Sequence, residues 1–289
     1  MSKFYTSVER FINDILVRGY ENGRPFQRKV KFKPTLYVRA RENATHKSLI
    51  GDVPLGATRF DSMIDARNFI NQYKDVHGFD VCGTMNYVTQ YIQEEYPGEI
   101  KFDMSKINIC SFDIEVDISN GYANINEADK EITSIAYKSS KSNTYHLLGR
   151  KDFDKTKTIT GIDPDDISFM KFDTETALLE RFIQIWQMEY PEVITGWNVE
   201  YFDIQYIVTR IIRLMGEEKA KKLSPWGRIS PHSITKFGKE QKSYIISGVT
   251  VIDYMDAFKK FGYKYGPQES YKLDHIAHVV LGEKKLDYS

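Results

Sequence analysis

Residues 107–116, INICSFDIEV, form an alternating stretch that predicts a β-strand carrying two carboxylates. Apolar and polar side chains alternate along it with the period of a β-strand, and a strand points the carboxylates of Asp113 and Glu115 to the same face. Two like charges held this close raise each other's proton affinity unless a cation lies between them. Many nucleases hydrolyse phosphodiesters with a pair of divalent metals in such a cluster. The alternative is a solvated strand edge with no chemical role.

A second acidic motif follows in TGWNVEYFDIQY, which contains Asn198, Phe202 and Asp203. The pattern predicts a short strand at 192–195, a turn at Gly196 and then a helix. The apolar face of that helix would carry Ile204, Ile207, Val208, Ile211 and Met215. Asp203 is therefore predicted at or near the helix N-terminus, as a third corner of the acidic cluster. An aspartate in this position is also an ordinary helix cap or dipole partner.

The first 104 residues form one predicted domain, which is small and β-rich. Strands at 15–20 and 28–39 are joined across the Asn-Gly pair at 22–23, a strong hairpin signal. A helix is predicted at 62–73 from its apolar spacing.

The second predicted domain covers residues 105–289 and is expected to be a mixed sheet flanked by helices, so that the fold class is α/β, or α+β overall. The predicted order is strands at 107–116, 131–138 and 144–148, a helix at 174–190 capped by Asp173, the 192–195 strand, the Asp203 helix, an extended hairpin around Gly238, and a strand at 249–253.

Composition limits the class of protein. The chain has 289 residues, of which 41% are apolar, enough for one or two domains. No stretch has the length of a membrane span and no signal peptide is evident, so cytoplasm is the default location. The two cysteines, Cys82 and Cys110, have no metal-site spacing and are expected to be buried and reduced.

The net charge of zero conceals an asymmetry. Residues 1–60 carry 12 lysines and arginines against 5 acidic residues, an excess of +7, and the remainder carries the opposite excess. A basic N-terminal part favours phosphate contact. However, Val30 and Phe32 largely alternate with basic residues, as on the solvent face of an amphipathic strand; the basic residues are Arg28, Lys29, Lys31 and Lys33. Both interpretations stay open at this point.

The Asp-Ile-Glu strand followed by Asn-x-x-x-Phe-Asp resembles the first two exonuclease motifs of B-family DNA polymerases, in particular the replicative polymerases of T-even-type tailed bacteriophages. Further matching stretches are FYTSVE at the start, YENGRPFQRKVKFKPTLYV near 20–38, FDSMIDARNFI at 60–70, LSPWGR at 223–228 and VIDYMDAFKKF at 251–261. The resemblance therefore runs from Met1 to about the last residue, and it implies an RNase H-like exonuclease core in residues 105–289.

The resemblance also implies roles for single residues. Asp113 would bridge two metals, Glu115 would bind one metal and orient the attacking water, and Asp203 would hold the second metal. Asn198 and Phe202 would shape the pocket for the terminal nucleotide. The expected metal is Mg²⁺ or Mn²⁺, because a site of carboxylate and phosphate oxygens suits hard cations.

Two further features carry an implied role in DNA handling. Tyr122 follows Gly121 where the family places an aromatic ring against the terminal base, although a loop tyrosine that packs on its own domain is an equal alternative. The hairpin around Gly238 lies where a family hairpin helps to separate the primer end from its template. In ordinary soluble proteins such a hairpin is only a connection.

The sequence departs from the family in one respect. The family's third exonuclease motif, Tyr-x-x-x-Asp, is absent downstream of Asp203, and Tyr271 and Asp274 are one residue too close to form it. The chain is therefore interpreted as truncated before that motif, or as one half of a polymerase encoded in two pieces.

These observations predict the N-terminal and proofreading part of a phage DNA polymerase, which hydrolyses DNA 3′ ends in the cytoplasm of the infected host cell. Implied partners are single-stranded 3′ ends, primer-template DNA, the remaining polymerase segment or a second subunit, and the sliding clamp and replisome. The alternative is a non-catalytic nucleic-acid-binding or assembly module of a split polymerase.

Overall fold

The chain forms two compact units, Met1–Lys106 and Ile107–Ser289, in a computed structural model that describes residues 3–40, 44–157, 161–188, 190–236 and 239–283. No helix among these residues has the length and apolar character needed to cross a bilayer. The elements of the first unit are β1 Lys3–Phe11, β2 Asp14–Glu21, β3 Arg24–Lys31, β4 Thr35–Arg39, β5 His46–Lys47, β6 Pro54–Arg59, α1 Met63–Tyr73, β7 Val81–Cys82 and α2 Tyr87–Glu95.

The first unit contains two antiparallel sheets, in the orders β1-β2-β3 and β5-β6-β4-β7. The predicted hairpin is confirmed, because β2 and β3 are joined by Asn22 and Gly23, both with positive φ. The predicted helix is also confirmed, and the Ser62 side chain caps it by accepting from the Asp65 N–H.

The single strand predicted at 28–39 is wrong. Two strands occupy this stretch and belong to different sheets: β3 ends at Lys31, and β4 begins at Thr35 directly after Pro34. Proline has no N–H to donate to a ladder, so a break at this position is expected.

The basic hairpin of the first unit carries its own counter-charges. The Asp14 carboxylate lies 3.2 Å from the Lys29 amine and 3.5 Å from the Lys31 amine, and Glu21 pairs with Arg28. Val30, by contrast, is half-buried and packs against the core of this unit. These contacts support the solvent-face interpretation of the alternating charges over a dedicated phosphate surface.

The second unit is built on a six-stranded mixed sheet. The elements of this unit are β8 Ile109–Val116, β9 Ile132–Ser139, β10 Tyr145–Gly149, β11 Ile167–Lys171, α3 Glu175–Met188, β12 Val193–Gly196, a π-helical turn Glu200–Ile204, α4 Gln205–Met215, α5 Glu217–Ala220, β13 Ile229–Lys236, β14 Lys239–Ile246, β15 Thr250–Asp253, α6 Tyr254–Phe261 and α7 Leu273–Leu281. The strand order in the sheet is β11-β10-β9-β8-β12-β15. Strand β9 is antiparallel to both of its neighbours, and the other pairs are parallel.

The predicted mixed sheet flanked by helices is therefore confirmed, with corrections. Four strands, rather than three, precede α3, because β11 adds to the sheet beside β10. The side chain of Thr174, rather than Asp173, caps α3 by accepting from the Ala177 N–H. Gly196 is the last residue of β12 and lies before the turn. The hairpin forms as β13 and β14, but Gly238 lies outside the described residues.

The core of the second unit lies between the sheet and helices α3 and α4. Phe112 of β8 stacks on Phe182 of α3 with ring centroids 5.3 Å apart, and Trp186 packs against both rings. Neither cysteine forms a disulfide: Cys110 is buried in this core, whereas Cys82 of the first unit is only half-buried, contrary to the prediction.

Candidate active site

The two carboxylates of the first motif project from one face of the sheet. Along β8, Phe112 and Ile114 point into the core, while Asp113 and Glu115 lie on the exposed face. The predicted strand geometry is thus confirmed. Because β8 lies between β9 and β12, the acidic pair is near the middle of the sheet rather than at its edge.

Asp203 reaches the same strand from the second motif. It lies in the π-helical turn immediately before α4, is only 2% exposed, and its Oδ1 accepts a hydrogen bond of 3.0 Å from the Ile114 N–H. That N–H belongs to the residue between Asp113 and Glu115. The prediction that Asp203 lies near the start of a helix is confirmed, and its burial shows that it is not an exposed helix cap.

The electrostatics of this arrangement are unfavourable without a cation. Burial, followed by the negative charge of Asp113, raises the pKa of Asp203 from its ordinary value of 3.8 to about 8. The hydrogen bond from Ile114 opposes this shift. A carboxylate in such surroundings takes up a proton near neutral pH, or it is stabilised by a positive ion.

The π-helical turn is held in place by Asp253, a residue that belongs to neither acidic motif and was not predicted to lie at the site. Asp253 ends β15, and its carboxylate accepts from the N–H groups of Asn198 at 3.0 Å, Glu200 at 3.2 Å and Met255 at 2.9 Å. Asn198 adopts a left-handed backbone with φ of 61°, which asparagine tolerates better than most residues. One signal in the sequence could have identified Asp253, because an aspartate between a strand and a helix is a common helix cap.

Gly196 allows the turn to approach β8 closely. A Cβ at this position would lie 2.7 Å from the Phe112 carbonyl oxygen and 3.0 Å from the Val199 Cβ. Any side chain here would push the strand β12 and the turn away from the strand that carries Asp113.

The remaining predicted residues differ in exposure. Phe202 is half-buried, packs against the core and stacks on Tyr206 with centroids 6.0 Å apart. Tyr122 is 92% exposed, in a loop after Gly121 whose φ is 95°. The alternative that Tyr122 packs on its own domain is therefore wrong.

The hairpin β13–β14 is fastened to the π-helical turn. The Ser243 hydroxyl donates to the Glu200 carbonyl oxygen at 2.6 Å, and Ser243 is buried. A displacement of this hairpin would therefore act on the turn that carries Asp203.

The carboxylates of Asp113, Glu115 and Asp203 are the groups here that could hold a metal ion. Within the described ranges, no group of three or more His, Cys, Asp or Glu side chains is arranged to hold an ion. The chemistry of the donors nevertheless fits a hard divalent cation, because all three are carboxylates and the buried one carries a repulsion that a cation would remove.

A family model described as DNA polymerase family B, exonuclease domain, matches residues 81–276. The chain belongs to this family. Over its whole length it is 31% identical to the DNA-directed DNA polymerase of Escherichia phage RB69 and 29% identical to that of Enterobacteria phage T4. It is 26% identical over 81% of its length to the DNA polymerase catalytic subunit of Human herpesvirus 8 type P, isolate GK18.

The resemblance to B-family phage polymerases is thereby confirmed. This B-family chain spans 34% of the length of each of the two phage relatives and 25% of the herpesvirus subunit. The second unit, with Asp113, Glu115 and Asp203, lies mostly within the matched exonuclease region.

Proposed function

We propose that this chain is the N-terminal and proofreading exonuclease part of a phage DNA-directed DNA polymerase and removes nucleotides from DNA 3′ ends. Residues 1–104 would be the N-terminal domain and residues 105–289 the exonuclease domain. The observation that carries the proposal is the hydrogen bond from the Ile114 N–H to Asp203, which joins the second acidic motif to the strand of Asp113 and Glu115 in a member of this family.

Divalent metal ions are generally required by exonuclease domains of the B family, and Mg²⁺ or Mn²⁺ is the proposed metal. Asp113, Glu115 and Asp203 would hold it, and when bound it would supply an activated water and stabilise the leaving 3′ oxygen. Asp113 and Glu115 are exposed and accessible to a phosphate, whereas the Ile114 N–H fixes the orientation of the Asp203 carboxylate. Asn198 and Phe202 would shape the pocket for the terminal nucleotide.

A further carboxylate is proposed to come from the remaining polymerase segment or from a second subunit, because Tyr-x-x-x-Asp does not occur downstream of Asp203. Primer-template DNA, the sliding clamp and the replisome are proposed partners by family resemblance. The proposed place of action is the cytoplasm of the infected host cell.

The proposal is tested by degradation of 5′-labelled single-stranded DNA. Because one metal-binding carboxylate is missing, the purified 289-residue chain is expected to degrade DNA slowly or not at all, and activity should rise when the segment carrying the third motif is added in trans. Asp113→Ala should abolish the recovered activity. Robust degradation by the chain alone, lost in Asp113→Ala, would show that the site needs no further carboxylate.

Tyr122 is proposed to stack on the terminal base, since its ring is free of protein contact over most of its surface. Tyr122→Ala should weaken binding of a free 3′ end by about 1 to 3 kcal/mol and leave the salt dependence nearly unchanged, because stacking involves no phosphate. Fluorescence anisotropy in Ca²⁺ measures binding without hydrolysis. Tyr122→Phe is the matched control and should retain affinity; equal affinity of the alanine variant would remove Tyr122 from the binding site.

The second candidate is a non-catalytic nucleic-acid-binding or assembly module of a split polymerase. It is favoured by the absence of Tyr-x-x-x-Asp downstream of Asp203. The two candidates differ in metal binding, because hydrolysis requires divalent ions at Asp113 and a binding module does not.

A further inference from the structure

A cavity of about 610 Å³ opens beside the C-terminal end of β8, just beyond the carboxylates. One wall is the loop that continues from β8 toward Tyr122, beginning at Asp117 and Ile118. The opposite wall is the segment after β10, with Lys151 and Phe153. The site described above uses none of these residues.

The cavity lies on the same sheet face as the acidic pair. In the strand register, Glu115 pairs with Ser134 of β9, and Ser134 pairs with Gly149 of β10. Both partners line the cavity. Paired residues on neighbouring strands share a face, and two strand spacings correspond to about 10 Å. A DNA strand whose 3′ end is bound at Glu115 can therefore cover the cavity with a nearby nucleotide.

The floor of the cavity is aromatic. Phe169 of β11 is the register partner of Leu147, and the Phe153 ring stands 5.5 Å from the Phe169 ring at an angle of 50°. Phe153 is 38% exposed, so part of its ring faces solvent. Gly149 keeps this floor open, because a Cβ there would lie 3.1 Å from the Phe169 ring.

Both acids at the cavity have partners within the protein. The Asp152 carboxylate lies 2.8 Å from the Lys171 amine, and Asp117 accepts hydrogen bonds from the Ser119 N–H at 2.9 Å and from the Ser119 hydroxyl at 3.1 Å. The exposed part of the Phe153 ring is uncharged, and it suits the π-face of a base better than a phosphate.

We propose that this cavity binds a nucleobase of the single-stranded DNA whose 3′ end is held at Asp113 and Glu115. Phe153 provides the stacking surface, and Lys151 lies beside it at the rim. The subsite is separate from the ring of Tyr122 and rests on the proposed exonuclease function. Because of this subsite, the affinity of the chain for single-stranded DNA depends on an internal nucleotide as well as on the terminal one.

The test measures binding of single-stranded oligonucleotides to the full chain in Ca²⁺ by fluorescence anisotropy. Phe153→Ala should weaken binding by about 5- to 150-fold, as expected for one lost stacking contact. Phe153→Leu, which keeps apolar volume without a π-face, should lose most of the same affinity. Phe261→Ala removes another exposed phenylalanine, at the end of α6 and outside the cavity, and should leave binding unchanged.

Photocrosslinking gives a second measurement. 5-Iodouracil, placed at each position of the oligonucleotide in turn, should crosslink to the peptide containing Phe153 from an internal position near the 3′ end. Wild-type DNA binding with no effect of Phe153→Ala and no such crosslink would overturn the subsite and leave the exonuclease proposal standing. No binding of single-stranded DNA by the wild-type chain would overturn both.

Discussion

Replacing Arg210 with methionine is expected to lower the free energy of unfolding by about 3–5 kcal/mol, because it leaves a buried carboxylate without its counter-ion. Arg210 of α4 donates to both oxygens of Glu175 of α3, at 2.8 and 2.6 Å, and both side chains are buried. Glu175 also accepts from the Ile132 N–H at 2.8 Å, so the pair joins both helices to β9. Urea unfolding followed by circular dichroism measures the change.

A matched control lies one turn along the same helix. Arg213 is exposed and donates to the Glu127 carbonyl oxygen, so Arg213→Met should change stability by at most about 0.5 kcal/mol. The double variant Arg210→Met with Glu175→Gln should recover part of the loss, since no buried charge is left unpaired. Equal stability of Arg210→Met and wild type would show that this pair does not hold α4, and with it the Asp203 turn, in place.

Replacing Asp203 with asparagine is expected to stabilise the metal-free chain, by an amount that grows with pH. The folded pKa of Asp203 is raised to about 8 from 3.8, so the protonated form is favoured in the fold, and wild type loses stability as the pH rises between these values. The loss is on the order of 5 kcal/mol when complete. The substitution preserves the hydrogen bond to the strand, because an amide oxygen can accept from the Ile114 N–H as the carboxylate does.

Urea unfolding in EDTA at a series of pH values measures this effect. The two proteins should have similar stability near pH 4 and diverge as the pH rises towards 8. Asp113→Asn removes the neighbouring charge while Asp203 stays buried, so it should stabilise the chain by a smaller amount. If the free energies of unfolding of wild type and Asp203→Asn changed with pH in parallel, the result would contradict the conclusion that Asp203 is a buried carboxylate repelled by Asp113.

The strand of Asp113 and Glu115 could be predicted because alternation fixes which side chains share a face. The Asn-Gly hairpin of the first unit and the apolar face of α4 were predicted from equally local signals. Each of these signals depends on residues that are close together in the sequence. In the fold, contacts between distant residues do not override them.

The features that could not be predicted depend on contacts between residues that are far apart in the sequence. β11 is a five-residue strand whose parallel pairing with β10 needs a crossover, so its sequence alone does not mark it. The burial of Asp203 follows from its contact with Ile114, 89 positions away in the chain. Asp253 joins the site through hydrogen bonds to Asn198 and Glu200, which alternation and helical spacing cannot reveal.

Asp113, Glu115 and Asp203 together are proposed to bind a divalent metal ion, and a titration with Mn²⁺ measures that binding. Electron paramagnetic resonance of free Mn²⁺, titrated with the chain and a deoxynucleoside monophosphate that supplies phosphate oxygens, should show weak saturable binding. Asp113→Asn and Glu115→Gln should each abolish it, whereas Glu127→Gln, which neutralises an exposed loop carboxylate, should not. Equal Mn²⁺ binding by all four proteins would contradict a metal site at this strand.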